Sequence, residues 1–154
     1  MDKKVIANET RVYGERFAKK LETRMEQILL DAETLVKSYF PAKQVSASLT
    51  KLQKILLNEG ISCRFDKTVS KQAIASSKDS DITDKECGDA IQYIANAVVA
   101  ETESTLEACD KAIKTLAKKH YPQHRISTAK AMGNVVEASM AKQGLRFKFN
   151  PKKK

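Results

Sequence analysis

Apolar residues recur at helical spacing along two long stretches of the chain. In the first stretch they are Phe17, Leu21, Met25, Ile28, Ala32, Leu35 and Tyr39, at intervals of three or four residues. Residues at these intervals share one face of an α-helix, so the spacing predicts a long amphipathic helix over residues 9–39. The second stretch has the same spacing and predicts another long helix over residues 84–120, which begins at the capping-box sequence Thr83-Asp84-Lys85-Glu86.

Each long stretch ends in the same signals, Phe40-Pro41 in the first and Tyr121-Pro122 in the second. Proline disfavours the helical conformation of the residue before it, so both helices are predicted to end there. A serine follows in each case, Ser46 or Ser127, and is predicted to be the N-cap of a shorter helix. The aromatic residues before the prolines are interpreted as packing between helices at these corners.

The shorter helices are predicted to end at Gly60 and Gly144, because glycine readily adopts the left-handed conformation that closes many helices. Apolar and polar residues then alternate in Ile61-Ser62-Cys63-Arg64-Phe65 and in Leu145-Arg146-Phe147-Lys148-Phe149. Such alternation predicts a strand with one buried face. Since an unpaired strand edge is a liability, we expect the two strands to pair, with Arg64, Arg146 and Lys148 on the outer surface.

The order helix, helix, strand therefore occurs twice, and many identical residues recur 81 residues apart. The closing glycines lie 84 residues apart, a further shift of about one helical turn that is predicted to lengthen a helix of the second copy. We predict a mainly α fold in which an internally duplicated helix–helix–strand unit forms a pseudo-twofold helical bundle with a small two-stranded antiparallel ribbon. The predicted single domain covers residues 1–154, with repeat one at 8–66, a linker at 67–83, repeat two at 84–150 and a basic tail at 151–154.

Composition agrees with a helical protein that has a core. Hydrophobic residues make up 42% of the chain, and five glycines and three prolines leave room for long regular elements. The three cysteines lack metal-ligand or disulfide spacing and predict reduced thiols in a cytoplasmic protein. The chain has no apolar run that is long enough for a membrane span, so no membrane association is expected.

Charge is distributed very unevenly along the chain. Residues 118–154 contain ten lysines and arginines against one acidic residue, which equals the net charge of +9 of the whole chain. Such a concentration of positive charge is typical of proteins that contact a polyanion. The predicted nucleic-acid contacts are Lys118, Lys119, His124, Arg125, Lys130, Lys142, Arg146, Lys148, Lys152, Lys153 and Lys154, together with Arg64.

The sequence contains no constellation that is typical of an enzyme. It has no glycine-rich phosphate loop, and Pro122 interrupts the spacing of His120 and His124 that could otherwise bind a metal ion. We therefore predict a protein without catalytic residues, cofactor or metal. The main hypothesis is a nucleic-acid-binding accessory or packaging protein.

The same basic residues are compatible with other functions. The alternative hypothesis is a protein-interaction module, such as an inhibitor, an adaptor or a virion-type component, whose basic face binds an acidic protein surface. An ordinary solvated surface and a self-assembling homo-oligomer are also compatible with the sequence.

Overall fold

The computed structural model describes residues 2–69 and 84–144, which are mainly helical, and the predicted mainly α class is confirmed. The described part of the chain forms helices α1 (Lys3–Tyr39), α2 (Ala42–Asn58), α3 (Asp84–His120) and α4 (Arg125–Lys142). A short 3-10 turn, Pro122–His124, connects α3 to α4. None of the described helices is long and apolar enough to cross a membrane.

The two long helices end at equivalent positions, as the prolines predict. The last turn is closed in the same way in both, because the N–H groups of Phe40 and Tyr121 donate to the carbonyls of Val36 and Ala117, at 2.9 and 2.8 Å. The corner aromatics differ, however. Tyr121 is buried and Phe40 half-buried, whereas Tyr39 is 75% exposed, so the expected packing of Tyr39 between helices is wrong.

Both short helices begin earlier than predicted, and neither Ser46 nor Ser127 is an N-cap. Helix α2 begins directly after Pro41, whose φ of −58° and ψ of 140° are the extended values of a helix-capping position. The carbonyl of Pro41 already accepts the N–H of Gln44 at 2.8 Å, so the first turn forms upstream of Ser46. Helix α4 begins at Arg125, after the 3-10 turn.

The buried positions of α2 and α4 show where the second repeat is longer. Buried residues of α2 are Val45, Ser48, Leu49, Leu52 and Leu56. Their counterparts 84 residues later are Ala129, Met132, Gly133, Val136 and Met140, and all but the half-buried Ala129 are buried. Helix α2 has 17 residues and α4 has 18, so one additional residue lengthens α4 and the other two lie in the connection that contains the 3-10 turn. The helix is therefore longer by one residue and not by a full turn.

The predicted two-stranded ribbon is wrong, because residues 2–69 and 84–144 contain no strand. Gly60 has a φ of 87° and closes α2 as predicted, while the N–H of Ile61 turns back to the carbonyl of Leu56 at 2.9 Å. Residues 62–69 belong to no helix or strand. The N–H of Phe65 donates to Gln53 Oε1 at 2.9 Å, and the N–H of Asp66 donates to Glu33 Oε1 at 2.7 Å.

Helix side chains therefore satisfy N–H groups that a neighbouring strand was expected to bind. The predicted alternation of burial is nevertheless present, since Ile61 and Phe65 are buried and Ser62 and Arg64 are exposed. The second predicted strand, residues 145–149, lies outside the described residues. The expected placement of Arg146 and Lys148 beside Arg64 depended on the ribbon and is withdrawn with it.

The chain divides into two compact units, and each draws on both repeats. The first unit comprises residues 1–25 and 102–154, and the second comprises residues 26–101. The boundaries fall inside α1 and inside α3. The core of the first unit includes Leu21, Met25, Ile113, Ala117, Met132, Val136 and Met140, and that of the second includes Ile28, Ala32, Val36, Leu49, Leu52, Leu56, Ile91 and Ala95.

Candidate nucleic-acid interface

Basic residues around the connection of α3 to α4 line one cavity of about 530 Å³ in the first unit, here called the α3/α4 groove. Asp110, Lys114 and Lys118 line it from α3, where their spacing of four residues places them on one face. Residues 125–137 of α4 form the other side, which includes Arg125, Ile126, Ala129, Lys130, Gly133 and Glu137. A volume of this size is in the range of ligand pockets.

Hydrogen bonds fix the corner beside this groove. The Tyr121 side chain is only 4% exposed, and its hydroxyl donates to Glu9 Oε1 at 2.6 Å. Burial raises the pKa of Tyr121, and the hydrogen bond to Glu9 and the charge of Glu9 raise it further, so the phenol remains a donor at neutral pH. The buried Thr128 hydroxyl donates to the carbonyl of His124 at 2.7 Å, which joins α4 to the 3-10 turn.

The electrostatic character of the groove is positive. Lys114 Nζ lies 3.0 Å from Asp110 Oδ2, so this lysine is already paired. Lys118, Arg125 and Lys130 are exposed, and no carboxylate of the described residues forms an ion pair with any of them. The first turn of α4 contains no acidic residue, so its N–H groups add partial positive charge at the same end.

Three of the predicted contact residues therefore meet in one groove, Lys118, Arg125 and Lys130. Lys119 and Lys142 are exposed at the ends of α3 and α4 but do not line it, and His124 is exposed in the 3-10 turn. Arg64 is exposed in the second unit. The remaining predicted residues, Arg146, Lys148, Lys152, Lys153 and Lys154, lie outside the described residues.

Sequence reasoning missed several residues of the groove. The spacing of Asp110, Lys114 and Lys118 was a detectable signal, because residues four apart share a helix face. Ile126 is 77% exposed at the groove, but nothing in the sequence distinguishes it from a core residue. Ala129 and Gly133 could have been found only by aligning α4 with α2 at the correct offset.

Other reactive groups of the described residues do not form a chemical site. Cys63, Cys87 and Cys109 form no disulfide bond, and burial raises the pKa of both Cys63 and Cys109 to about 11. Their thiols are therefore protonated at neutral pH and are weak nucleophiles. Across residues 2–69 and 84–144, no three His, Cys, Asp or Glu side chains are grouped so that they could hold a metal ion.

Comparison with known proteins adds no relative from which a site could be transferred. No family model, no curated protein and no solved structure matches the chain.

Proposed function

We propose that the protein binds nucleic acid through the α3/α4 groove and acts as a non-enzymatic accessory or packaging factor. The observation that supports this proposal is the meeting of Lys118, Arg125 and Lys130 at one groove. Each has its charge exposed and no ion pair within the described part of the chain. Cations in this state can neutralise phosphates, because none of the three is paired with a carboxylate of the described residues.

Contacts of this kind recognise the phosphate backbone and carry little sequence information. The groove offers lysine and arginine side chains, but no aromatic residue lines it among the described residues. We therefore expect broad tolerance of base sequence and a strong dependence on salt. Each phosphate contact contributes about 0.9 to the slope of log affinity against log salt on duplex DNA.

The test is fluorescence anisotropy of labelled duplex DNA, single-stranded DNA and RNA, titrated with the protein at several salt concentrations. In the variant Lys118→Gln/Arg125→Gln/Lys130→Gln we expect weaker binding and a salt slope on duplex DNA that is smaller by about 3. A matched variant, Lys3→Gln/Lys19→Gln/Lys20→Gln, removes the same charge from exposed positions of α1 that do not line the groove.

Equal losses in the two variants would mean that net charge alone drives binding, and the groove would not be the site. A second arm deletes residues 145–154, which contain the predicted contacts Arg146, Lys148 and Lys152–Lys154. If only this deletion abolishes binding, the C-terminal segment is the interface and the groove assignment is wrong. Circular dichroism of each variant checks that the helices are retained.

A further inference from the structure

The lining of the α3/α4 groove is partly apolar, and phosphate contacts alone make no use of that part. Ile126 lines the groove and is 77% exposed. Ala129 and Gly133 follow it on the same face of α4, at spacings of three and four residues. An exposed apolar side chain in a cavity gains free energy when a ligand covers it. The lining therefore indicates a ligand that has an uncharged part as well as an anionic part.

Charge changes along the length of the groove. Lys118 near the end of α3 and Arg125 at the start of α4 lie beside the connection of the two helices. Asp110 lies eight residues before Lys118, about 12 Å along α3. Glu137 lies twelve residues after Arg125, about 18 Å along α4. A phosphate is therefore favoured at the end beside the connection and less favoured at the end that contains both carboxylates.

Uncharged groups line the groove between these two ends. Ile126 and Ala129 belong to the first turns of α4, and Asn134 lines the groove eight residues after Ile126. Asn134 is exposed, and its side-chain amide has both hydrogen-bond donors and an acceptor. Every base has a donor or an acceptor on its edge, so this amide can pair with different bases.

A nucleotide has the same division into a charged and an uncharged part. Its phosphate is anionic, whereas its base is flat and has two faces that stack on other groups. The cavity of about 530 Å³ is in the size range of pockets for small ligands. In a duplex the bases are paired and stacked, and turning one out costs free energy. A base of a single strand is already unpaired and enters a cavity more readily.

We infer that the α3/α4 groove binds single-stranded nucleic acid with one unpaired base inserted between the two helices. The inference rests on the proposed function, since it assigns the kind of strand that this same groove binds. The cations Lys118 and Arg125 hold a phosphate, and the base lies against Ile126 and Ala129. Asn134 forms a hydrogen bond with the edge of the base.

The test compares two oligonucleotides that have the same charge, each titrated with the full chain in fluorescence anisotropy. The first is a labelled oligothymidylate of about ten nucleotides, a length within the range of single-strand site sizes. The second has the same backbone and length but an abasic site in place of every base. We expect about five- to tenfold tighter binding of the first, because only this strand has a base that covers Ile126.

Variants of one apolar residue locate the base. Ile126→Ala should remove most of the preference for the oligothymidylate and leave the affinity for the abasic strand unchanged, because no charge is lost. Ile126→Leu keeps a side chain of the same size and should keep the preference. Leu57→Ala is the matched control, since Leu57 is 59% exposed on α2 and does not line the groove. Circular dichroism checks that each variant retains its helices.

Duplex DNA and a free nucleotide complete the test. When the oligothymidylate is annealed to its complementary strand, Ile126→Ala should leave the affinity unchanged, because the bases are paired. Thymidine monophosphate at micromolar concentration should not displace the oligothymidylate, because one phosphate contacts fewer cations than a strand does. Displacement by the free nucleotide would overturn the inference in favour of a mononucleotide site.

Two further results would overturn it. These are equal affinity of the wild type for the two strands, and an Ile126→Ala variant that still prefers the oligothymidylate. The proposed function fails separately. If the wild type binds both strands equally and Lys118→Gln/Arg125→Gln/Lys130→Gln weakens both, the groove binds phosphates and only the assignment of the base is wrong. If the triple variant weakens neither, the groove is not the nucleic-acid site at all.

Discussion

Equivalent positions of the two predicted repeats have different surroundings, because Glu33, Lys37 and Gln53 contact residues 65–66 whereas Lys114, Lys118 and Glu137 line the α3/α4 groove. The first has the buried residues Val45 and Leu49 on α2 and holds Phe65 and Asp66 through helix side chains. The second has Ala129 and Gly133 at the same positions and a cavity of about 530 Å³. The same order of two helices is thus found twice, with different side chains at equivalent positions of the shorter helix.

The two corners that follow α1 and α3 differ in a similar way. In the first unit Tyr121 is buried and its hydroxyl donates to Glu9. The second unit has Phe40 at the position equivalent to Tyr121 and Ala90 at the position equivalent to Glu9. The polar corner formed by Tyr121 and Glu9 therefore belongs to the unit that contains the α3/α4 groove. Exchanging residues between the repeats measures what each difference contributes.

The largest effect is expected when a fully buried residue of α2 is truncated. Leu49→Ala removes a fully buried side chain and should lower the free energy of unfolding by about 2–5 kcal/mol. Urea denaturation followed by circular dichroism measures the loss. Leu57→Ala is the matched control, because Leu57 lies on the same helix and is 59% exposed. Similar losses for both would show that the burial of Leu49 adds no stability.

A smaller loss of stability is expected where α1 packs against α4. Gly14→Ala gives α1 the residue that α3 has at Ala95, but the added Cβ would lie 2.7 Å from Val135 Cβ. Overpacking of this kind costs about 1–3 kcal/mol. Thermal unfolding of Gly14→Ala, of Val135→Gly and of the double variant Gly14→Ala/Val135→Gly tests the cause, since Gly14→Ala should cost no stability once the Val135 Cβ is absent. A gain in stability on Gly14→Ala alone would contradict the close approach.

The polar corner is tested by Tyr121→Phe, which gives repeat two the residue of repeat one. Losing the hydrogen bond to the Glu9 carboxylate should cost about 1.5 kcal/mol at neutral pH. Because the folded state raises the pKa of Tyr121, its contribution is complete below the ordinary tyrosine pKa of about 10 and declines as the pH rises above it.

Urea unfolding from pH 7 to 11 should therefore show the difference between wild type and Tyr121→Phe becoming smaller at alkaline pH. Tyr93→Phe provides the control, because Tyr93 is 75% exposed on α3 and should show no such change. A difference that stays constant up to pH 11 would mean that the hydroxyl does not stabilise the fold through its protonated form.

The smallest effect, and the only gain in stability, is expected at Gly133, which lines the α3/α4 groove. Gly133→Ala reduces the backbone freedom of the unfolded chain at a helical position and should add about 0.5–1 kcal/mol to the free energy of unfolding. Gly144→Ala should have the opposite sign, because Gly144 has a φ of 88° that alanine adopts with strain. Destabilisation by Gly133→Ala would indicate that another group already occupies the groove.

The sequence by itself determined the helices. The three- and four-residue spacing, the two prolines and the two closing glycines are local signals, and they located the ends of α1 and α3 and the left-handed glycine Gly60. The concentration of positive charge in residues 118–154 also identified Lys118, Arg125 and Lys130 as candidate contacts.

Only the tertiary structure decided what partners these elements have. The alternating residues 61–65 predicted a strand, but Gln53 and Glu33 accept the N–H groups of Phe65 and Asp66, and such contacts leave no trace in local spacing. The same is true of the bond between Tyr121 and Glu9 and of the room beside Gly133. Local periodicity fixes which face of a helix is buried, whereas the packing of distant segments decides whether a groove on that face is filled or open.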